Sequence, residues 1–526
     1  MKIVGLYHPE SGFVAEWNSD NAIAVLYVND TVYDIFRFYF FGMDRYGPWI
    51  YLIPRLWHQF TGHIFDAWEV YSIHAFSYLA LTLVGAYMLH RRWGVVTASL
   101  AVAVISLNLA AVYEIFQTCT PFAVQMSACF VAWACGRRLL DQYGLSWDGT
   151  ERQPEPRKVW WLCFTLFFFF AVWASLVSAI LLLACLGCEW LVRCVWQRLS
   201  LQESLQRGVL LLAPVLGVIA IERWCNRAYN RYTMQAWGKS FETVKDMDWG
   251  RMYGNFHAMT HTYLKSSWWG FGVLALILVG VLLAHIFTVL AQDKARRLQH
   301  AQAMDWCMLS WGALCMGGLN FVITGMSTWV RMSLYNTRYL APTMVFVPFG
   351  VLAALVGLML LWVKGEKRRW VVSTCVAVLA PVLVYFQLPA ARPGNSFRET
   401  REAAALVAEK APGSIILGGY WGTYLFPAAL PEAQLVALPD ERDTNRMPWM
   451  QKALQTTRSV VVSHFHYDKV SFDHPLEQFT QYGHRFELRQ QKFISHGRYH
   501  FTLYENMGPV TAHLEVVDKG GQRHNL

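Results

Sequence analysis

Glu16 and Asp20 bracket a polar stretch, Trp17-Asn18-Ser19-Asp20-Asn21-Ala22, near the start of an otherwise apolar chain. A second polar stretch is Gly42-Met43-Asp44-Arg45-Tyr46-Gly47. A third, Asn336-Thr337-Arg338-Tyr339-Leu340-Ala341-Pro342, lies immediately before an apolar run, and Glu114 is the single acid of the short segment 113–119. An Arg at a membrane surface can grip a lipid phosphate through paired hydrogen bonds. A carboxylate in a neighbouring loop can take a proton from an acceptor hydroxyl. Each group also has a plainer reading. Arg338 could be an interfacial residue whose stem lies along apolar surface, and Asp20 the N-cap of a helix over 21–28.

Other chemistries find no pattern. There is no GxxxxGK[ST] phosphate loop, no convincing GxGxxG, no HExxH and no GxSxG. His464-Phe465-His466-Tyr467-Asp468-Lys469 partly matches the HxHxDH of metallo-β-lactamase-type hydrolases, but Lys469 stands where the last His belongs. On a strand the two histidines would share a face and could bind a metal only adventitiously. Cys185 and Cys188 form a CxxC inside an apolar run, where free Cys behaves as a small hydrophobe.

The elements that must hold these residues belong to a membrane. Of 526 residues, 55% are hydrophobic and 15% charged, against about 25% charged in an average soluble protein. Mean hydropathy is +0.25. This composition excludes disorder, a nucleic-acid binder, a disulfide scaffold and an ordinary cytosolic enzyme. Runs long enough for a span of about 20 residues occur at 74–90, 96–112, 120–135, 159–175, 177–192, 209–222, 268–289, 304–324, 341–363 and 370–388. The spacing predicts a tight turn near Trp173-Ala174-Ser175, separating two spans. The spans are nearly free of ionisable groups; Glu189, His285 and Asp305 fall near their ends. One set of loops carries 17 Lys and Arg and the opposite set 9. The richer set is read as cytoplasmic, which accounts for the net charge of +9. Residues 1–73, 223–267, 325–340 and everything after 389 then lie outside the cytoplasmic membrane. No apolar core follows Lys2, so no secretory signal peptide is expected.

Three regions follow. Residues 1–73 form an outer first loop with aromatic, interfacial helices. Residues 74–388 form the transmembrane core. Residues 389–526 form a small α/β domain, with a helix over 399–410, strands at 414–417 and 459–462 and a hairpin over 484–504. Its expected role is acceptor recognition or packing on the membrane domain.

The acidic first loop, aromatic interfacial segments, multispan core, Arg-Tyr-x-x-Pro lead-in to a late span and outer C-terminal domain together resemble the GT-C glycosyltransferases. These polyprenyl-phosphate-sugar-dependent enzymes include protein mannosyltransferases and the aminoarabinose transferase of lipid A. Tyr39-Phe40-Phe41-Gly42-Met43-Asp44-Arg45-Tyr46-Gly47 is similar to a segment of bacterial members of unassigned substrate. The resemblance implies a polytopic α-helical fold and a sugar donor on polyprenyl phosphate, attacked with inversion by the hydroxyl of an envelope lipid, glycan or protein. By resemblance Asp20 is the general base and Glu114 a second acid. Arg338 with Tyr339, Arg45 and Arg331 hold the donor phosphate, Asp44 and Glu16 meet substrate, and 223–267 is a mobile cover. Membrane lipids are expected partners and nucleic acid is not. No cofactor is expected, although an Asp20–Glu114 pair could hold a divalent ion. Family members have a span before the acidic loop. This chain begins almost at that loop, so either translation starts upstream of Met1 or that helix is lost. A transporter or flippase of a lipid-linked glycan is the alternative, and mid-span charges or repeat symmetry would favour it. A non-catalytic membrane anchor leaves the clustered outer acids and arginines unexplained.

Overall fold

The computed structural model describes residues 17, 19–30, 48–93, 121–147, 157–233, 249–265, 269–326, 337–362, 396–439, 453–465, 467, 471–510, 516–517 and 523–524. Long helices make up the first part: α1 (Ser19–Val28), α2 (Leu52–Thr61), α3 (Ala67–Trp93), α4 (Pro121–Leu140), α5 (Arg157–Ala174), α6 (Val177–Gln197), α7 (Leu201–Thr233), α8 (Trp249–Lys265), α9 (Trp269–Leu290), α10 (Lys294–Gln299), α11 (Ala301–Gly325) and α12 (Ala341–Trp362). Eight of the segments read as spans fall on helices α3–α7, α9, α11 and α12. Segments 96–112 and 370–388 lie outside the described residues. Among the described residues, α6, residues 272–290 of α9 and α11 are long and apolar enough to cross a membrane. Helix α7 adds a fourth if its halves, Leu201–Val209 and Leu212–Ala228, count as one span bent by 42°. Pro214 supplies the bend, because it cannot donate to the carbonyl of Leu210 and its ring crowds that group.

The turn expected near 173–175 is present: α5 ends at Ala174, and Ser175 and Leu176 separate it from α6. The helices pack as α4 on α3 and α5, α11 on α6 and α12, and α9 on α12. Small residues permit the close approaches. A Cβ on Gly312 would lie 2.6 Å from Cys185 Sγ and 2.9 Å from the Trp133 ring, so α11 meets α6 and α4 only because that side chain is a hydrogen. Leu276, Ile277 and Phe287 of α9 point out of the bundle, fully apolar and more than half exposed. That is the face hydrocarbon would cover.

The C-terminal part begins with α13 (Ser396–Lys410), which leads into β1 (Ile415–Gly418). Two short helices follow, α14 (Tyr420–Thr423) and α15 (Leu425–Ala429). Then come β2 (Val436–Pro439), β3 (Ser459–Ser463), β4 (Gln478–Gln481) and the long hairpin of β5 (His484–His496) and β6 (Tyr499–Pro509). The six strands form one sheet in the order β2-β1-β3-β6-β5-β4. β1 is parallel to β2 and β3, and β3, β6, β5 and β4 are antiparallel in turn. β1 is buried throughout, as a central parallel strand must be when both faces are covered.

One apolar core joins the two ends of the chain. Trp17, Ile23, Tyr27, Tyr51 and Tyr71 pack in the same cluster as Phe397, Ile416, Phe426, Val461 and Phe501. The first-loop segment and the C-terminal sheet therefore share one core.

Candidate functional site

Helix α1 holds Asp20 in its first turn rather than ahead of it, so Asp20 is not the N-cap of this helix. The helix is fixed at both ends. Before it, Trp17 is 1% exposed. Its indole N–H donates to the Leu425 carbonyl at 3.2 Å, and its backbone N–H to Ser396 Oγ at 2.9 Å. Its ring meets Phe397 edge-on, with centroids 4.8 Å apart. After it, the Asn29 side chain donates to the Phe65 carbonyl at 2.8 Å and accepts the Phe65 N–H at 2.8 Å. Arg55 is wholly buried, lies over the Tyr27 ring at 4.5 Å and donates from Nε to the Asp30 carbonyl at 3.0 Å. Its NH2 also pairs with the Asp30 carboxylate at 3.4 Å. A buried guanidinium needs such partners, and these lock α1 to α2.

Helix α2 presents Ile53, Leu56, Trp57 and Phe60 to the outside while Pro54 and Arg55 are buried. That i, i+3, i+4, i+7 stripe fits an interfacial helix.

Arg338 lies in the 3-10 turn Thr337–Leu340, directly before α12. The turn hangs from α11. Asn320 Nδ2 donates to the Tyr339 carbonyl and to Thr343 Oγ1, both at 3.1 Å, and Thr343 Oγ1 donates to the Gly317 carbonyl at 2.8 Å. The Tyr339 side chain packs against the main helical core. The segment 223–267, read as a mobile cover, is in large part helical. α7 continues to Thr233, and α8 docks on the end of α11 through Asn255, whose Nδ2 donates to the Gly325 carbonyl at 3.2 Å.

The side chains of Asp20 and Arg338, and all of Glu16, Asp44, Arg45, Glu114 and Arg331, lie outside the described residues. The described residues thus position two backbones, α1 and the Thr337–Leu340 turn. Among them no group of three or more His, Cys, Asp or Glu could hold a metal. His464 bonds Thr502 Oγ1 through Nε2 at 2.9 Å and meets Phe472 edge-on; His466, Asp468 and Lys469 lie outside the described residues.

One cluster was not foreseen from the sequence, which placed Glu189 and Asp305 near span ends without partners. Arg137 Nε pairs with Glu189 Oε1 at 3.0 Å, and Arg137 NH2 with Asp305 Oδ1 at 2.8 Å. Arg193 pairs with Asp141 Oδ1 at 2.7 Å and with Glu189, and lies over the Trp147 ring at 4.8 Å. Arg137 and Arg193 are fully buried, and Glu189 is 1% exposed. A π-helical turn, Asp141–Leu145, closes α4 and carries Asp141 to this network. The signal available was spacing: Glu189 and Arg193 are four apart on one helix face, the favourable order for an ion pair. Two guanidiniums hold three carboxylates, and the network ties α4, α6 and α11 together.

No protein-family profile and no curated relative matches the chain. Solved structures do. ArnT from Cupriavidus metallidurans bound to undecaprenyl phosphate aligns over 95% of both chains at 13% identity, with a TM-score of 0.51. The apo state of the same protein aligns over 95% of this chain and 96% of its own, at 14% identity and a TM-score of 0.51. Archaeal oligosaccharyltransferase AglB from Archaeoglobus fulgidus, in complex with an inhibitory peptide and a dolichol-phosphate, covers 85% of this chain and 65% of its own at 11% identity and a TM-score of 0.39. The likeness to ArnT runs the length of both chains, and the protein accordingly shares the fold of ArnT.

Proposed function

We propose that the chain is an integral-membrane glycosyltransferase that moves a sugar from a polyprenyl-phosphate donor to an acceptor in the cell envelope. The observation that carries this reading is the fold shared along the whole chain with ArnT, a protein solved with undecaprenyl phosphate bound. In the proposed reaction Asp20 takes the proton of the acceptor hydroxyl. The freed oxygen attacks the anomeric carbon, the bond from that carbon to the phosphate oxygen breaks, and the configuration inverts. Arg338, with Arg45 and Arg331, stabilises the charge that develops on the leaving phosphate, and Tyr339 belongs to the same phosphate-binding turn. Glu114 is the second acid, and Asp44 and Glu16 contact substrate. The reaction takes place at the outer face of the cytoplasmic membrane, on the side shared by α1 and the C-terminal sheet.

The test compares envelope glycolipids and glycans by mass spectrometry in cells making the wild-type protein or Asp20→Asn at matched levels. Loss of one sugar unit in the mutant, with polyprenyl-phosphate sugar accumulating, is the expected result, and the mass difference names the sugar class. Identical profiles would make Asp20 structural and bring the transporter alternative forward.

A further inference from the structure

The parallel strands of the C-terminal sheet stand in the order β2-β1-β3. The chain leaves β1 for one neighbour and later crosses to the other, so a topological switch point lies between β1 and β3. Open α/β sheets bind ligands outside the carboxyl ends of their strands at such a point. Here the chain fills that place itself. A Cβ on Gly422, in the segment after β1, would lie 2.4 Å from the Phe465 carbonyl oxygen, in the segment after β3. The two loops therefore close on each other. Beside them, Trp17 bonds the Leu425 carbonyl of the segment leaving β1 and Ser396 Oγ at the start of the helix leading into β1. Helix α1 then packs along α14 and α15. Asp20, three residues after Trp17, is in the first turn of that helix.

We infer that Trp17 is a positioning residue, through which the C-terminal sheet holds the helix bearing Asp20, and that the ligand edge of this sheet serves the chain's own first loop rather than an acceptor. The inference rests on the reading of Asp20 as the general base. The indole suits this role: it fills the apolar space between Tyr71 and Phe397, and its N–H satisfies a buried carbonyl that an aliphatic side chain would leave bare.

The test uses the full-length protein, in cells and purified in detergent micelles, as wild type, Trp17→Ala, Trp17→Phe and Asp20→Asn. One readout is the envelope glycan species that appear only with the wild-type protein. The other is amide hydrogen exchange over residues 19–28, compared with β3 and β6. Trp17→Ala is expected to lower the product at least tenfold and to speed exchange over 19–28, while β3 and β6 stay as protected as in wild type. Trp17→Phe, which keeps the ring packing, should restore most of the product. Wild-type product from Trp17→Ala despite faster exchange overturns the inference. So does loss of protection in β3 and β6, since Trp17 would then be a plain core residue. Should Trp17→Ala fail to accumulate, Ser396→Ala serves instead. Partial product loss with faster exchange over 19–28 supports the inference, and unchanged product overturns it. Asp20→Asn with undiminished product sinks the base assignment while leaving exchange over 19–28 as it was, so the two failures are told apart.

Discussion

The network around Arg193 and the seat of Trp17 perform the same task in opposite ways. Each joins segments far apart in the chain. Arg137, Asp141, Glu189, Arg193 and Asp305 do so with charges, buried where water is scarce. Trp17, Ser396, Phe397 and Leu425 do so with an aromatic ring and two neutral hydrogen bonds. The difference lies in what removal leaves behind. A buried charge robbed of its partner bears the full desolvation penalty, whereas a deleted ring leaves a cavity and a bare carbonyl. The first region is therefore brittle and directional. The second tolerates a conservative ring, which makes it the better place to adjust a neighbouring helix.

The comparison breaks most visibly at Arg193. Arg193→Met removes a guanidinium that Glu189 and Asp141 share, and should cost about 3–5 kcal/mol. The check is the temperature at which the micelle-bound protein loses its monodisperse peak on size exclusion, and an unchanged midpoint would show the network to be idle. Arg193→Lys should fall between, because one ammonium cannot reproduce the forked contacts. Gly312→Ala probes the same helix junction without touching charge. Overpacking against Cys185 and Trp133 should cost about 1–3 kcal/mol by the same assay. Asn320→Ala strips the donor from the Tyr339 carbonyl and Thr343, at about 1–3 kcal/mol. If the proposed function holds, it should lower transfer more than it lowers the amount of folded protein, because the turn that carries Arg338 loses its support.

The smallest effect is one of pH. Burial pushes the Tyr499 phenol up from its ordinary value, against the opposing hydrogen bond with Thr400, and burial raises Tyr504 as well. The unfolded chain then releases these protons first. Their contribution to stability is complete below the ordinary phenol value of about 10 and is lost as pH rises above it. Hydrogen exchange in β6 should quicken above that pH, and Tyr499→Phe should flatten the dependence. A slope unchanged in the variant would remove Tyr499 from the account.

Much of the helical part was legible because helix and span signals are local. The break at Ser175 was readable from length alone, since one run over 159–192 would overshoot any bilayer. The strands at 415–418 and 459–463 and the hairpin over 484–509 showed in their β-branched and alternating residues. The pairing of Glu189, Arg137 and Asp305 was not legible, for a physical reason. A charge on a helix looks the same in sequence whether it faces water or a guanidinium from another helix. The candidate site was legible only as polar stretches. Neither Trp17, an aromatic among many, nor Asn320, a lone amide in an apolar run, carries a local mark of what it holds.

By itself the sequence determined the class of molecule: a membrane chain with alternating loop charge, a late α/β segment and short polar motifs resembling those of GT-C enzymes. Composition and periodicity suffice for that, because they act over one or a few helical turns. Only the tertiary structure decided that residue 17 bonds residue 396, 379 positions away. It alone decided that five charges meet at one end of the bundle and that the sheet's ligand edge is filled from within. Such contacts depend on which surfaces remain unsatisfied once every helix and strand has formed, and no window along the chain contains both partners.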